Sequence, residues 1–339
     1  MDATNTRAAG GRAGSLPVER RNASTLSYAA FQREYIATNR PVVIENAVTK
    51  WPALKKWTPD YFKTTFGPRR VDVSYEEQMT FADFIDGVVA SSEAKPGPYM
   101  YRFFIGPHLP DVLPDVLPQN DYAFPRRLAS PLMPRTWKRP DGYLKLLIGG
   151  VGGRFPIMHY DTENMHAAIT EIYGDKAFVL FPPEDTAYLY PRDDLPNKTA
   201  IKDIDDVDLA KFPLFAKATR YETLLRPGDM VFVPSKWWHT ARVVTTSISI
   251  CQNMLDGSNW NGFVEEISTP AFGVPAWKRH AKRIYLTMLG WALALVERLP
   301  RARPTSGAVG TSPIGRLAPL APVDAIDART WPMSTWSVE

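Results

Sequence analysis

Three patterns along the chain predict a mainly β fold, two sheets facing each other as a jelly roll or barrel, with helix-bearing segments on either side. Between residues 141 and 256, short apolar or alternating runs follow one another, separated by turn residues, and few of them show helical spacing. Before this stretch, helix-like and strand-like segments mix. After residue 257 the period becomes helical, and Ile284, Met288, Trp291, Leu295 and Leu299 fall on one stripe.

The elements follow in order. Residues 1–20, rich in Ala, Gly and Arg, read as a disordered tail. Residues 21–140 form an N-terminal α/β extension wrapped on the barrel. A helix starts near Ser27 with Tyr28, Phe31 and Tyr35 on one face, and Pro41 ends it. "PVVIENA" is a strand, "WTPDYFKTTFG" a short helix stopped by Gly67, and "VDVSY" a strand. "TFADFIDGVVAS" is a helix with Thr80 as N-cap and Asp83 at the capping-box position. "PYMYRFF" alternates as a strand. Residues 107–140 are proline-rich, largely loop, and a candidate lid. In the core (141–256), "YLKLLIGG", Ala167–Tyr173, "KAFVLF", the run after the Pro227-Gly228 turn, and "TTSISICQN" are strands. Residues 257–300 are helical and 301–339 an irregular, proline-bearing tail.

Composition narrows the class. A net charge of +4 spread over 40 basic residues is too weak an excess to imply a nucleic-acid partner, without excluding one. The single cysteine, Cys251, rules out an internal disulfide framework and points to a reducing, cytoplasmic setting. The N-terminus has no apolar core of a signal peptide, and the stretch Ile284–Val296 is too short and too interrupted to span a membrane.

Of the five histidines, two carry chemical interest. His159 and Asp161 are two apart, so on a strand both side chains face one way. His239 follows "PSKWW" near another strand. His-x-Asp with a distant His is the facial triad that holds non-haem iron on one face and leaves three positions open. Two readings stand: half of a metal site, or a polar dipeptide heading an ordinary strand. Lys176 opens a run of apolar residues. It is either an interior cation that needs an anionic partner, such as the far carboxylate of 2-oxoglutarate, or an exposed lysine at a strand edge.

"LLIGGVGGRFPIMHYD", "GDKAFVLFPP" and "YETLLRPGDMVFVPSKWWHTARVV", with "NRPVVIENAVTKWPALKKWTPDYF" before them, resemble the cupin-like branch of the Jumonji C oxygenases, and within it the asparaginyl hydroxylase type that acts on hypoxia-inducible factor. The likeness covers roughly residues 35–256. It implies a double-stranded β-helix that binds Fe(II) and 2-oxoglutarate and consumes O2. His159, Asp161 and His239 match the metal ligands and Lys176 the lysine of the family's Gly-x-Lys, here Gly174-Asp175-Lys176. Tyr101 matches a tyrosine that shares the carboxylate, with Tyr99 on the same strand face. Asn253 matches an asparagine near the cosubstrate.

Two departures stand out. The run from His159 to Gly-x-Lys is two residues longer than in that type, which predicts a bulge or longer loop. Phe155-Pro156 replaces a Thr-Pro, which removes a hydroxyl donor. His166 either lines the substrate pocket or is a hydrogen-bonded core histidine. The resemblance implies hydroxylation of a C–H bond on a protein or peptide side chain, or on a small biosynthetic substrate, and a homodimer joined through C-terminal helices. The rivals are a cupin metalloenzyme that does not use 2-oxoglutarate, and a non-catalytic binding module.

Overall fold

Strand pairing begins earlier than the sequence predicts. The computed structural model describes residues 14–298 apart from 74–77, 125–126, 128–129, 131, 134–143, 156 and 270–274. β1 (Leu16–Pro17) falls within the predicted tail and β2 (Arg20–Asn22) starts at its end, so the tail boundary moves back. The Arg20 guanidinium explains the hold. It donates to Glu45 (2.8 Å), Asp229 (2.6 Å) and the Leu224 carbonyl (3.0 Å), bonds that span three strands.

The next elements form where local chemistry directs them. Ser27 caps α1 (Tyr28–Phe31), which widens into a π-helical turn over Gln32–Ile36. β3 (Val42–Glu45) and α2 (Ala53–Lys56) follow. Thr58 caps α3 (Pro59–Phe66), accepting from the Tyr61 N–H at 3.1 Å. β4 (Arg70–Asp72) and β5 (Gln78–Thr80) pair antiparallel. Thr80 caps α4 (Phe81–Val89) through the Asp83 N–H. β6 (Tyr99–Phe104) leads into α5 (Ile105–His108) and a 3-10 run over Pro110–Val116. Val112 and Val116 are buried in the core, so the first part of the expected lid is a packed element.

The barrel strands are β7 (Leu144–Gly149), β8 (His166–Tyr173), β9 (Lys176–Phe181), β10 (Tyr221–Leu225), β11 (Met230–Val233), β12 (Trp238–Val243) and β13 (Ser247–Met254). One sheet runs β2-β3-β11-β8-β13-β7-β6 and the facing one β1-β10-β9-β12, the two walls of a jelly roll. Side chains from both walls meet inside: Leu147, Ile169 and Val231 from the first, Phe178, Leu180, Leu225 and Ala241 from the second. The outer face of the large sheet, with Leu146, Ile148, Ile248 and Ile250, packs on Phe62, Phe81, Phe84 and Val88 of the N-terminal helices. The β9–β10 connection, 182–220, covers the outer face of the small sheet, placing Leu189, Ile201 and Ile204 on Phe181 and Trp238.

Two helices close the described chain, α6 (Trp260–Glu266) and α7 (Ala276–Arg298). No helix among the described residues is long and apolar enough to cross a membrane. Residues 301–339, read as an irregular tail, lie outside the described residues.

Asp115 ties the 3-10 run to the N-terminal helices. Its carboxylate accepts from the buried Trp57 indole (3.0 Å) and from Lys56 (3.0 Å). Asp115→Ala leaves the indole N–H buried without a partner, and urea unfolding is expected to show a loss of about 1–3 kcal/mol.

Candidate metal centre

The segment before His159 runs beside β12. Arg154 bridges to Arg242 and His159 to His239. The last pair is reciprocal: the His159 N–H donates to the His239 carbonyl at 3.1 Å, and the His239 N–H returns the bond at 2.7 Å. Two residues far apart in sequence are thus directly opposed, with ring centroids 4.5 Å apart. Each ring is also fixed in one tautomer. His159 donates its Nδ1–H to the Ile157 carbonyl (3.1 Å) and His239 its Nδ1–H to the Trp237 carbonyl (3.0 Å). Both Nε2 atoms therefore keep a free lone pair. Asp161 Oδ1 lies 3.7 Å from His159 Nε2, and one ligand atom from each of the three residues falls within 4.8 Å of the others.

The electrostatics suit a cation. Burial raises the Asp161 pKa, but the neighbouring His159, His239 and Lys145 outweigh it and hold the carboxyl well below the usual range. Burial, then the neighbouring His159, pushes His239 down to about 4, so its ring is neutral near pH 7. Two imidazole nitrogens and one ionised carboxylate, gathered on one face, fit an iron ion with open coordination positions.

Asn253, expected near the cosubstrate, donates to Asp161 Oδ2 at 3.1 Å, while its own Oδ1 accepts from Lys145 at 2.9 Å. It aims the carboxylate. The run after Asp161 opens on a sharp turn of the backbone. Glu163 (φ 58°) and Asn164 (φ 51°) are consecutive left-handed residues. Asn164 anchors the loop by donating to the Asn259 carbonyl at 2.9 Å and accepting from Ser235 Oγ. His166 faces away from the pocket, against Phe232. It accepts from the Ser235 N–H at Nδ1 (2.8 Å) and donates from Nε2 to Ser258 (3.0 Å), which makes it a satisfied core histidine.

Lys176 is 1% exposed and points inward. Its turn depends on Gly174, at φ +75°, where a Cβ would sit 1.9 Å from the Thr246 carbonyl oxygen. The lysine Nζ donates to Ser249 Oγ and lies 5.6 Å from the Tyr99 ring centroid. Tyr99, rather than the expected Tyr101, is thus the ring beside the lysine. A register shift between Met100 and Phe103 and the residue facing Tyr99, Gly149, account for this. A Cβ on Gly149 would meet the Tyr99 ring at 2.3 Å.

Tyr101 stacks on Tyr99 at 6.3 Å and meets Phe155 edge-on at 4.9 Å. Phe155 in turn stacks on His159 at 4.4 Å, so the residue standing in for the hydroxyl donor packs on a candidate ligand. Sequence reasoning missed Glu171, Lys145 and Ser249, all in the same interior. Strand alternation carries the signal: counting back by two from Asn253 gives Cys251 and Ser249, and onward from Ala167 gives Ile169 and Glu171.

The cupin-like domain matches residues 28–255. The chain belongs to the cupin-like domain family. Some of its relatives are named for the Jumonji C domain. A lysine-specific demethylase 8 of Xenopus tropicalis is 26% identical over 65% of this chain and 49% of its own length. The human tRNA wybutosine-synthesizing protein 5 is 30% identical over 66% of this chain and 73% of its own. An arginine-specific demethylase of Arabidopsis thaliana is 28% identical over 71% and 58% respectively. The chain spans about half the length of the lysine-specific demethylases 8 that it matches.

Asn253→Ala removes the amide donor from Asp161 Oδ2. Titration of the purified chain with Mn(II) is expected to show metal affinity lowered by about ten- to a hundredfold, with the fold intact by circular dichroism.

Proposed function

We propose that this chain is an Fe(II)- and 2-oxoglutarate-dependent oxygenase that hydroxylates a C–H bond of a protein or peptide side chain or of a small molecule. One observation carries the reading: an open two-imidazole, one-carboxylate face and a buried lysine share one interior, at two ends of the inward row of β13. Asn253 serves the first end and Ser249 the second. Bound there, the iron would supply the activation of O2 that turns 2-oxoglutarate into succinate and CO2. His159, Asp161 and His239 would hold it, and Lys176 would pair with the distal carboxylate of the cosubstrate.

The apolar walls formed by Ile169, Phe178, Leu180 and Val231 would keep water from a substrate held between them. Relatives named for lysyl and arginyl demethylation and for tRNA wybutosine synthesis support a substrate that is a side chain or a modified base, and the small net charge gives the base no preference. A cytoplasmic location belongs to the same proposal, because Fe(II) and the free thiol of Cys251 both require reducing conditions.

A homodimer through α7 is proposed with it. Leu286, Leu289 and Leu293 bury one narrow face of the helix, and the Trp260 indole donates to the Leu286 carbonyl at 3.1 Å. Arg127 grips Glu297 with two bonds of 3.0 Å. The stripe foreseen from sequence faces outward instead of packing on the barrel: Ile284, Met288, Trp291 and Leu295 are 60–72% exposed. Leu299, its last member, lies outside the described residues. An apolar stripe held outward at both ends suits the same stripe on a second copy.

Two outcomes test these readings. Anaerobic loading with Fe(II) and 2-oxoglutarate, followed by O2, should yield succinate from the wild type and none from His239→Ala. Metal binding without succinate would instead favour a cupin enzyme of another chemistry. Light scattering should give twice the 38.1 kDa chain mass, falling to one for Leu295→Arg with the fold retained, whereas a monomeric wild type rejects the dimer.

A further inference from the structure

Lys176 already has a carboxylate beside it. Glu171, on the inward face of β8, is 0% exposed, and its Oε2 lies 3.9 Å from Lys176 Nζ. Ser247 donates to Oε1 at 2.6 Å, while Oε2 has no hydrogen-bond partner. No solvent reaches the pair to screen it, since Lys176 is 1% exposed. The groups facing Glu171 come from every neighbouring strand. Ser247 and Ser249 lie on β13, Lys176 on β9 with Asp175 just before it, and Tyr99 on β6. From the residue just before β11 the contact is main chain, the Glu171 N–H donating to the Asp229 carbonyl at 2.9 Å, and the Asp229 side chain is engaged by Arg20. Lys176 is thus the single cation against Glu171 among the described residues.

A ligand carboxylate delivered to Lys176 would place two carboxylates on one ammonium in a closed interior. Two like charges at that separation without water cannot both stay ionised, and one must take a proton. The ligand carboxylate arrives with open hydrogen-bonding capacity toward Lys176 and Ser249. Glu171 has one oxygen without a donor, so it is the group that gives way.

Building on the 2-oxoglutarate reading, we propose that Glu171 gates the cosubstrate pocket: the distal carboxylate of the cosubstrate binds Lys176 only as Glu171 takes up one proton. The atoms balance simply. One proton from solvent adds to Oε2 of Glu171, the Lys176–Glu171 attraction is exchanged for a Lys176–ligand ion pair, and no covalent bond changes in the ligand. Burial already lifts the Glu171 pKa to about 7 against the opposing pull of Lys176, Ser247 and Ser249, so the proton is available near neutrality. The sign follows: binding is strongest below that pKa and weakens as pH rises through it.

The test uses the full chain loaded with Zn(II) and isothermal titration with 2-oxoglutarate between pH 6 and 8.5. Wild-type affinity is expected to fall by about tenfold per pH unit above the Glu171 titration. Glu171→Gln should bind with a pH profile flatter by that one proton and more tightly than wild type at pH 8.5. A second measurement needs no variant. Binding enthalpies of the wild type at pH 8, compared in phosphate and Tris, should reveal uptake of about one proton per 2-oxoglutarate and none for 2-oxovalerate, which carries a methyl group in place of the distal carboxylate. Equal proton uptake for the two ligands, or the same pH dependence in wild type and Glu171→Gln, overturns the gate and leaves the 2-oxoglutarate reading standing. No binding of 2-oxoglutarate to either protein at any pH overturns both.

Discussion

The reciprocal backbone pair between His159 and His239 is the constraint on which the rest of the site depends. With the Arg154–Arg242 bridge before it, it joins the segment to β12 in one register, so a slip by one residue would turn a candidate ligand away from the interior. Both imidazoles then use the carbonyl two residues before them to fix their tautomer, Ile157 for one and Trp237 for the other. The repeat follows from equivalent positions on opposed strands rather than from any similarity of the surrounding sequence. Asp161, two residues beyond His159, completes the cluster.

A second consequence of the sheet geometry is the character of the interior. Polar and ionisable residues, Lys145, Glu171, Lys176, Ser249 and Asn253, lie between apolar walls. Such groups are costly to bury and persist where each is answered by another. Lys145 is answered by Asn253 and Asn253 by Asp161, and Lys176 by Ser249. Glu171 is answered on one oxygen only. Its incompletely satisfied carboxylate marks the place where the pocket has capacity left for change.

Much of this was legible in the sequence because it rests on local rules. Thr80 is a cap by type and position. The outer faces of β7 and β13 declare themselves through Leu144, Leu146, Ile148, Ile248 and Ile250. His159, Asp161, His239 and Lys176 stand out by type and spacing, and the structure gathers the first three in one cluster. What escaped depends on partners distant in sequence. The choice of Tyr99 over Tyr101 rests on a bulge in β6 and on Gly149 across the ladder. The pairing of β1 with β10 and the grip of Arg20 join residues about 200 positions apart, which no local pattern announces. Asn253 looked like a contact for the cosubstrate, and its amide is turned to Asp161 because Lys145, on the neighbouring strand, holds the other end.

The long connection between β9 and β10 has a use beyond covering the small sheet. His159 bridges on its far side to Lys198, and Tyr160 and Thr199 add main-chain bonds at 3.1 Å to Asn197 and Met158. The segment that carries the first candidate ligand is therefore flanked on both sides and is not a free edge. An unpaired edge there would offer donors and acceptors to any other unfolded or nascent chain, a standing invitation to strand addition and aggregation at the most sensitive point of the protein. Capping it from within the same chain lets the segment that carries the candidate ligand stay irregular without becoming a template for misassembly.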